Sequence, residues 1–396
     1  MASTCFYWQH PKHGPLIGVG QAQAIQFQTQ TDIEAFGQFI ADNKGKYIFG
    51  TLAFDLKNYF EKLDSKNQDQ VQFPELHFWV PESIYCLDSE LSHFWGQENA
   101  NNKAFAAHFS TQMQQQQIGL HATFKPRTSK DVYFQHFNKL KNALQRGDIY
   151  EVNYCQELFV ENYDLTNPYG VFGRLTTRTK APHAAFIQTN DHFIFCASPE
   201  RFIQKTGNQL RSEPIKGTAA RNANPVQDAQ NAKQLQNNPK ERAENIMIVD
   251  LVRNDLSRIA LKNSVQVEEL CQIYSFETVH QMISKISCEL ASEINFIDIF
   301  RSLFPMGSMT GAPKIAALER IETHEDFKRG LYSGSIGLIE PNGDFDFNVV
   351  IRSLLYNRQN RYLSVAVGSA LTIGANPEDE YNECLLKADK LIHGLD

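Results

Sequence analysis

The last third of the chain carries the sequence pattern that most restricts the fold. Residues 331–340, 344–356 and 362–372 are largely apolar runs separated by short polar segments, and they predict three consecutive strands. Asn342 and Gly343 form the first connection, and both residue types tolerate the positive φ that a two-residue hairpin turn requires. The pattern therefore predicts an antiparallel sheet in this part of the chain.

A helix is predicted directly after this sheet. Asn376 is a favourable N-cap, and Pro377 suits the first helical position. Glu380 and Glu383 flank one edge of an apolar stripe, so both carboxylates are expected beside the packed face. The stripe consists of Tyr381, Cys384, Leu385, Ala388, Leu391 and Ile392.

Composition excludes several classes of protein. The 396 residues are 42% hydrophobic and 21% charged, which is typical of a globular chain with a large core. A net charge of −7 argues against nucleic acid as the main ligand. No apolar run is long enough for a membrane span, and the first residues lack the pattern of a signal peptide. The seven cysteines are scattered, so we expect reduced thiols in the cytoplasm and no zinc site.

The middle of the chain brings an acid and an amine together. Residues 193–221 are predicted to form a strand, a turn at Thr206-Gly207-Asn208, a second strand and a loop. In this hairpin Glu200 lies opposite Pro214, and Lys216 follows two residues later. The acid and the amine are therefore expected to approach each other although they are distant in sequence.

Two further segments have a helical pattern. Residues 130–146 have helical spacing and end at Gly147, and residues 226–256 are helical with a break at 237–239. Residues 1–125 are irregular and rich in predicted strands, so we expect an N-terminal subdomain there that shares one fold with residues 126–396.

Charged residues in apolar surroundings point to a site on the second helix. Residues 244–256 carry Glu244, Asp250 and Arg253 among apolar side chains, and buried ions need partners or a metal. A structural salt-bridge network is the simpler interpretation for Asp250 and Arg253. For Glu244 together with Glu380 and Glu383 we favour a divalent cation, and carboxylates suit a hard ion such as Mg²⁺.

A set of ordered motifs resembles the chorismate-utilising enzymes, a family that includes anthranilate, isochorismate, salicylate and aminodeoxychorismate synthases. The resemblance covers about residues 130 to 393 and implies two stacked, mostly antiparallel β-sheets flanked by helices, an α/β (α+β) arrangement of the anthranilate synthase type. It also implies Mg²⁺ and chorismate, a dicarboxylate, as substrate. The motifs are Ser198-Pro199-Glu200-Arg201-Phe202, Pro214-Ile215-Lys216-Gly217-Thr218, residues 244–256, residues 304–314 and residues 332–337.

Two positions separate the branches of this family. Members that hydrate chorismate carry a lysine where this chain has Glu151, and anthranilate synthases typically carry an alanine where it has Lys216. The resemblance therefore favours the branch that aminates chorismate at C4 to give 4-amino-4-deoxychorismate, for 4-aminobenzoate and folate synthesis. Anthranilate formation and a non-catalytic chorismate-binding subunit are the alternatives.

The same resemblance assigns catalytic roles. Glu200 corresponds to the acid that protonates the leaving hydroxyl, and Lys216 to the nucleophile that attacks C2 before ammonia attacks C4. A free lysine is mostly protonated at pH 7, so we expect the site to lower the pKa of Lys216. No Cys-His pair suggestive of a glutaminase is visible, so ammonia is expected to come from a separate glutamine amidotransferase subunit.

Substrate contacts are also implied by the resemblance. Arg352, which the strand pattern places on one face with Asp346 and Asn348, offers a planar fork for a carboxylate, with an ion pair to Asp344 or Asp346 as the alternative. Gly368 allows backbone to approach a carboxylate, although Ser369 stands where the family usually continues with glycine. The expected substrate-binding set is His280, Thr310, Tyr332, Arg352, Gly368 and Ser369.

Overall fold

The structure is a computed structural model that describes residues 4–61, 63–114 and 119–392. In chain order the strands of these residues are β1 (Cys5–His10), β2 (Gly14–Val19), β3 (Gln23–Phe27), β4 (Ile48–Leu52), β5 (Leu76–Val80), β6 (Ser83–Cys86), β7 (His93–Gly96), β8 (Lys125–Pro126), β9 (Glu151–Val160), β10 (His183–Gln188), β11 (His192–Ser198), β12 (Arg201–Thr206), β13 (Gln209–Glu213), β14 (Ile215–Ala220), β15 (Gln266–Ser275), β16 (Val279–Glu289), β17 (Gly311–Ala312), β18 (Ser335–Ile339), β19 (Phe345–Asn348), β20 (Ser353–Asn357) and β21 (Tyr362–Leu371). The α-helices are α1 (Ile33–Asp42), α2 (Lys57–Glu61), α3 (Ala100–Gln114), α4 (Lys130–Arg146), α5 (Pro168–Thr179), α6 (Pro225–Gln236), α7 (Pro239–Ser257), α8 (Phe296–Leu303), α9 (Lys314–His324) and α10 (Pro377–Ile392). Phe54–Leu56 and Gly307–Met309 form single turns of 3₁₀-helix.

The strands form two antiparallel sheets. The first sheet has 11 strands in the order β17-β9-β21-β20-β11-β10-β1-β2-β6-β7, with β8 paired to β9. The second has 10 strands in the order β14-β16-β13-β12-β19-β18-β4-β5-β3, with β15 paired to β16. The predicted fold class, two antiparallel sheets flanked by helices, is confirmed.

The main core lies between the two sheets. Phe6 of β1 and Phe49 of β4 stack with ring centroids 3.8 Å apart, which places an aromatic contact between the first and the second sheet. Helices α3, α5 and α10 contribute side chains to a second apolar cluster on the outer face of the first sheet. Burial of these aromatic surfaces is the main source of stability, since each such side chain removes a large apolar area from water.

The N-terminal strands are divided between the sheets. In the first sheet β1 pairs with β10, and in the second β4 pairs with β18. Strands from the first hundred residues are thus integral to both sheets. A boundary at residue 125 stays a prediction.

Several predicted helix boundaries follow from caps. Helix α4 begins after Ser129, whose side chain accepts a hydrogen bond from the Val132 N–H, and it ends at Gly147, where φ is 78°. The break between α6 and α7 falls at Asn237 and Asn238, and the side chain of Asn238 caps α7. These positions match the predicted ones because cap residues satisfy the free N–H and C=O groups of a helix end.

The predicted strand over residues 344–356 is wrong. The chain forms β19 in the second sheet, crosses between the sheets over residues 349–352, and continues as β20 in the first. Arg352 has a φ of 52°, and Val349 and Val350 are fully buried at the crossing. The alternation of side chains is therefore interrupted, and Arg352 does not share a strand face with Asp346.

Helix α7 has one solvated face. Asp250 and Arg253 form an ion pair of 2.8 Å across one helical turn, and their side chains are 64% and 54% exposed. A structural role for this pair agrees with the sequence, but the expectation that α7 is buried on most sides is wrong.

The helices within the described ranges include none with the length and apolar character needed to cross a membrane.

Candidate active site

A cleft of about 460 Å³ lies where the edges of the two sheets meet, a volume typical of small-molecule sites. Its walls come from β9 and β21 of the first sheet, β14 of the second sheet, and helices α7 and α10. The crossing segment at residues 351–352 and the loop at 308–309 complete it. The predicted site residues that line it are Glu200, Lys216, Glu244, Tyr332, Arg352, Gly368, Ser369, Glu380 and Glu383.

Lys216 extends from an irregular part of β14. The register of β14 against β16 shifts between Ile215 and Thr218, and Gly217 has a φ of 89°. The Lys216 Nζ donates a hydrogen bond of 2.7 Å to Glu151 Oε1 at the start of β9. The two side chains are only 11% and 1% exposed, so this ion pair joins the two sheets in a largely dry environment.

Neighbouring carboxylates hold Lys216 in its charged form. Burial by itself lowers the pKa of Lys216, but the carboxylates of Glu151, Glu244 and Glu200 outweigh burial and raise this pKa above its ordinary value. The expectation that the site lowers the pKa of Lys216 is therefore wrong for the protein without substrate.

Glu200 lies at the corner between β11 and β12. Its backbone N–H donates a hydrogen bond of 3.2 Å to Ser198 Oγ, and its carboxyl group is buried in the cleft. Burial raises the pKa of Glu200 to about 7, against a hydrogen bond from Ser308 and the charge of Lys216. Glu200 and Lys216 line the same cleft. The predicted arrangement of residues 193–221 is wrong in two respects, since β11 and β12 lie in different sheets and Lys216 lies on strand β14 and not in a loop.

Carboxylates from two helices face the cleft. Lys240 of α7 lies 3.1 Å from Glu380 of α10 and 3.9 Å from Glu244, and Lys387 lies 2.7 Å from Glu383. Glu244 Oε1 is buried and has no hydrogen-bond partner in the described part of the chain. Burial raises the pKa of Glu244 to about 7. Two lysines thus partly neutralise the three predicted metal ligands.

This donor set suits Mg²⁺, although it is not a closed cage. Within the described residues, no three His, Cys, Asp or Glu side chains lie close enough together to hold a metal ion. Mg²⁺ commonly takes only one or two protein carboxylates and completes its shell with water and substrate oxygens. The buried Glu244 Oε1 is an oxygen with unused acceptor capacity, so the residues fit the ion. A magnesium site stays a prediction.

Arg352 presents an unpaired guanidinium to the cleft. Asp346 binds Arg201 at 2.9 Å, and Asp344 lies 3.9 Å from Lys205, so the alternative ion pair of Arg352 with either residue is wrong. No carboxylate forms an ion pair with Arg352 in the ranges that the structure covers. Burial lowers the pKa of Arg352, although the group remains a cation. A half-buried cation without an ion-pair partner is suited to an anionic ligand.

The floor of the cleft is formed by Gly368 and Ser369 of β21. A side chain at Gly368 would place Cβ 2.5 Å from Cys155 Sγ and 2.8 Å from Asn153 Oδ1, so only glycine fits there. Ser369 is 2% exposed, and its hydroxyl has no hydrogen-bond partner within the described residues. Ser369 therefore replaces the usual glycine of the family while it still lines the cleft. Tyr332 is buried beside this floor.

Two predicted substrate residues do not line the cleft. Both ring nitrogens of His280 are engaged, Nδ1 with Ser275 Oγ at 2.8 Å and Nε2 with Asp228 Oδ1 at 2.9 Å. The Thr310 hydroxyl is fully buried and donates to the carbonyls of Met306 and Gly307. Their roles toward a substrate stay predictions.

Other lining residues were missed from the sequence. Lys240 and Glu241 precede Glu244 by four and three positions, and helical spacing alone could have placed them on the same face. Asn153 follows Glu151 by two positions on β9, where the period of a strand sets the same relation. Ser308 and Gln281 carried no comparable signal, since a 3₁₀ turn brings Ser308 to the cleft and the pairing of β16 with β14 brings Gln281 there.

Comparisons with known proteins identify the family of this chain. A family model described as chorismate binding enzyme matches residues 3–393. The chain is 32% identical to "Aminodeoxychorismate synthase component 1" of Klebsiella aerogenes and 32% identical to the protein of that name from Bacillus subtilis (strain 168), in each case over 88% of this chain and 76% of the relative. The crystal structure of anthranilate synthase component I from Streptococcus pneumoniae TIGR4 superimposes with a TM-score of 0.81 at 23% identity, covering 95% of this chain and 91% of that one. The chain therefore belongs to the family of chorismate-binding enzymes.

Proposed function

We propose that this protein aminates chorismate at C4 with ammonia and produces 4-amino-4-deoxychorismate, the precursor of 4-aminobenzoate in folate synthesis. The observation that carries the proposal is that Lys216, a largely buried lysine, lies in the same cleft as Glu200. Burial raises the pKa of Glu200 to about 7. The two curated relatives described above, which are named for this activity, support it.

The cleft suits a dicarboxylate. The unpaired Arg352 guanidinium can bind one substrate carboxylate by donating two parallel hydrogen bonds to its oxygens. The backbone of Gly368 and Ser369 lines the cleft and offers a close approach to a second carboxylate, because glycine carries no side chain of its own. These two groups would fix the ring between Lys216 and Glu200.

The chemistry requires an acid and a nucleophile. Hydroxide is a poor leaving group, and Glu200 with a pKa about 7 is partly protonated at neutral pH and can donate to the C4 hydroxyl. Lys216, once deprotonated, attacks C2 as the C4 hydroxyl departs as water. Ammonia then attacks C4 and expels Lys216 from C2, so nitrogen arrives on the face that the hydroxyl left.

The carboxylates of α7 and α10 would hold Mg²⁺. Glu244, Glu380 and Glu383 are the proposed ligand residues, and Glu241 lies one turn from Glu244 in the same cleft. When bound, the ion supplies positive charge that neutralises and orients a substrate carboxylate. Lys240 and Lys387 would exchange their present carboxylate partners for water.

Ammonia is proposed to come from a separate glutamine amidotransferase subunit. The sequence shows no Cys-His pair of the glutaminase type, and the relatives from Klebsiella aerogenes and Bacillus subtilis are named as components. The reaction in the cleft uses neutral NH₃, because only the neutral molecule has the lone pair that attacks C4.

Product identification tests the proposal. The purified chain is incubated with chorismate, Mg²⁺ and ammonium chloride at about pH 8.5, where more of the ammonia is neutral, and products are separated by liquid chromatography with mass detection. We expect 4-amino-4-deoxychorismate. Anthranilate as the main product would favour the anthranilate synthase alternative, and chorismate binding without turnover would favour a non-catalytic subunit.

A further inference from the structure

The backbone at Glu151, the partner of Lys216, is held in place by strand β17. Ala312 of β17 pairs with Glu151, and the Tyr150 N–H donates to the Ala312 carbonyl at 2.7 Å. Gly311 has a φ of 145°, and a Cβ there would lie 2.1 Å from the Glu151 carbonyl oxygen. The backbone that carries the Glu151 carboxylate is thus fixed on one side by a close contact that only glycine permits.

The Glu151 carboxylate has an unused oxygen. Oε1 accepts the hydrogen bond from Lys216, whereas Oε2 is buried and has no partner in the part of the chain that the structure describes. A buried carboxylate oxygen without a donor is unusual, because burial of an unsatisfied polar atom costs free energy. Such an oxygen retains full capacity to accept a proton.

Lys216 must lose a proton before it can react. Only the free amine has the lone pair that attacks carbon, and the surrounding carboxylates hold the side chain as an ammonium. Glu200 already has the role of acid, and Glu244 and Glu383 are among the residues proposed to hold the metal. Among the described residues, Glu151 is the carboxylate that accepts the hydrogen bond from Lys216 Nζ. The other carboxylates that face Lys216 are those of Glu200, Glu241, Glu244 and Glu383.

We propose that Glu151 is the catalytic base that removes the proton from Lys216, an inference that rests on the proposed function. The Nζ–H bond breaks and the proton moves to the Glu151 carboxylate, while the freed lone pair forms the bond from Nζ to C2 of chorismate. The two ring double bonds shift, the C4–O bond breaks, and the hydroxyl leaves as water with the Glu200 proton. When ammonia has displaced Lys216 from C2, Glu151 returns its proton to the amine.

Transfer within the pair gives this step a particular pH dependence. In the wild type the proton stays on the enzyme, so formation of the nucleophile does not depend on the pH of the solution. Without an acceptor at position 151, Lys216 must release its proton to water, and its reactive fraction then rises about tenfold per pH unit while the ammonium predominates. A role of Glu151 in positioning alone would give no such difference.

The test measures the covalent step by itself. Wild type, Glu151→Gln and Glu151→Asp are mixed with chorismate and Mg²⁺ without ammonia, and the adduct on the peptide that contains Lys216 is timed by mass spectrometry from pH 6.5 to 8.5. Glutamine keeps the size and the acceptor oxygen of Glu151 but cannot hold the proton. The ratio of wild-type to variant rates at each pH cancels the contribution of Glu200, and the exposed Glu90→Gln is the matched control.

We expect the wild type to exceed Glu151→Gln by at least about 100-fold at pH 6.5, with the ratio falling about tenfold per pH unit. Glu151→Asp, which keeps a carboxylate, should be slower than wild type but should retain the wild-type pH profile. A ratio that is constant with pH, or a Glu151→Gln enzyme faster than wild type at every pH, would overturn the inference and leave the nucleophile intact. Absence of the adduct in wild type would instead overturn the proposed nucleophile, and this inference with it.

Discussion

Lys216 combines charge and burial in a way that makes its chemistry testable by substitution. A guanidinium at this position would keep the charge but could not be deprotonated, so it could not act as a nucleophile. We expect Lys216→Arg and Lys216→Ala to lose formation of 4-amino-4-deoxychorismate by at least about 100-fold in kcat. The alanine variant should divert part of its turnover to amination at C2, which gives 2-amino-2-deoxyisochorismate and, after loss of pyruvate, anthranilate.

Lys205→Arg is the matched control for these variants. Lys205 lies on β12, and its amine donates to the Gly343 carbonyl in a distant hairpin, so the substitution should leave turnover near wild type. Lys216→Ala that still makes 4-amino-4-deoxychorismate at a near wild-type rate would show that ammonia attacks C4 directly.

Glu200 should reduce the stability of the folded chain at neutral pH. Its pKa is about 7 in the folded state against 4.5 ordinarily, so the folded state holds this proton more tightly. Stability is therefore highest below pH 4.5 with respect to this group, and it falls as the pH rises to about 7. At about 1.4 kcal/mol per pKa unit, the difference approaches roughly 3 kcal/mol.

Glu200→Gln should accordingly raise the free energy of unfolding at pH 8 and have little effect near pH 4.5, while it abolishes turnover. Urea unfolding at the two pH values measures the difference, with the exposed Glu90→Gln as control. Equal effects of Glu200→Gln at both pH values would contradict the raised pKa.

At the level of secondary structure elements, two glycines with positive φ differ in the space around them, so alanine should destabilise the fold to different extents at the two positions. A Cβ at Gly311 of β17 would lie 2.1 Å from the Glu151 carbonyl oxygen. Gly343 in the β18–β19 hairpin has a φ of 84°, and a Cβ there would contact no atom within 4 Å. We expect Gly311→Ala to lower the unfolding free energy by more than about 3 kcal/mol and Gly343→Ala by only about 1 kcal/mol. Thermal denaturation compares them, and equal losses would contradict the close contact.

Helices α7 and α10 should bind the metal together. We expect Glu244→Gln and Glu380→Gln each to raise the Mg²⁺ concentration for half-maximal turnover by at least about tenfold, because each removes a charged oxygen ligand. Asp250→Asn on the exposed face of α7 is the matched control. Chelation should abolish turnover and added Mg²⁺ should restore it, and turnover that survives chelation would exclude a metal requirement.

Local signals made helices α4, α6, α7 and α10 and the β12–β13 and β18–β19 turns predictable, whereas the site depended on the motifs. Caps and turn residues such as Ser129, Asn238 and Gly343 act through neighbouring backbone groups, so the sequence reveals them. The crossing at residues 349–352 could not be predicted, because Val349, Val350 and Ile351 continue the apolar pattern of a strand while the chain passes from one sheet to the other. Arg352 reaches the cleft through this crossing. Likewise, the Glu151–Lys216 contact joins residues 65 positions apart, and no local pattern reports such a pair.

For the whole molecule, the proposed reaction requires ammonia, which we propose comes from a separate glutamine amidotransferase subunit. Glutamine alone should therefore give no turnover, and ammonium chloride should support a rate that increases with pH as the neutral NH₃ fraction increases. Product formation with each nitrogen source measures this, with a glutamine amidotransferase subunit added as the positive control. Turnover on glutamine without that subunit would contradict a separate amidotransferase.

The division of the early strands between two sheets also has a consequence for how the chain is made. Strand β1 finds its partner β10 only after residues 183–188 have been synthesised, and β4 must wait for residues 335–339. Pairings so distant in sequence are closed late and slowly, because the entropy of a long loop is lost before the contacts form. On the ribosome, one edge of β1 and one edge of β4 therefore remain unpaired for most of translation, although β2 and β5 can already pair with their other edges. Unpaired edges of this kind are the surfaces that aggregate or are held by chaperones. Ribosome-bound chains stalled before residue 335 should accordingly bind chaperones more strongly than the released protein.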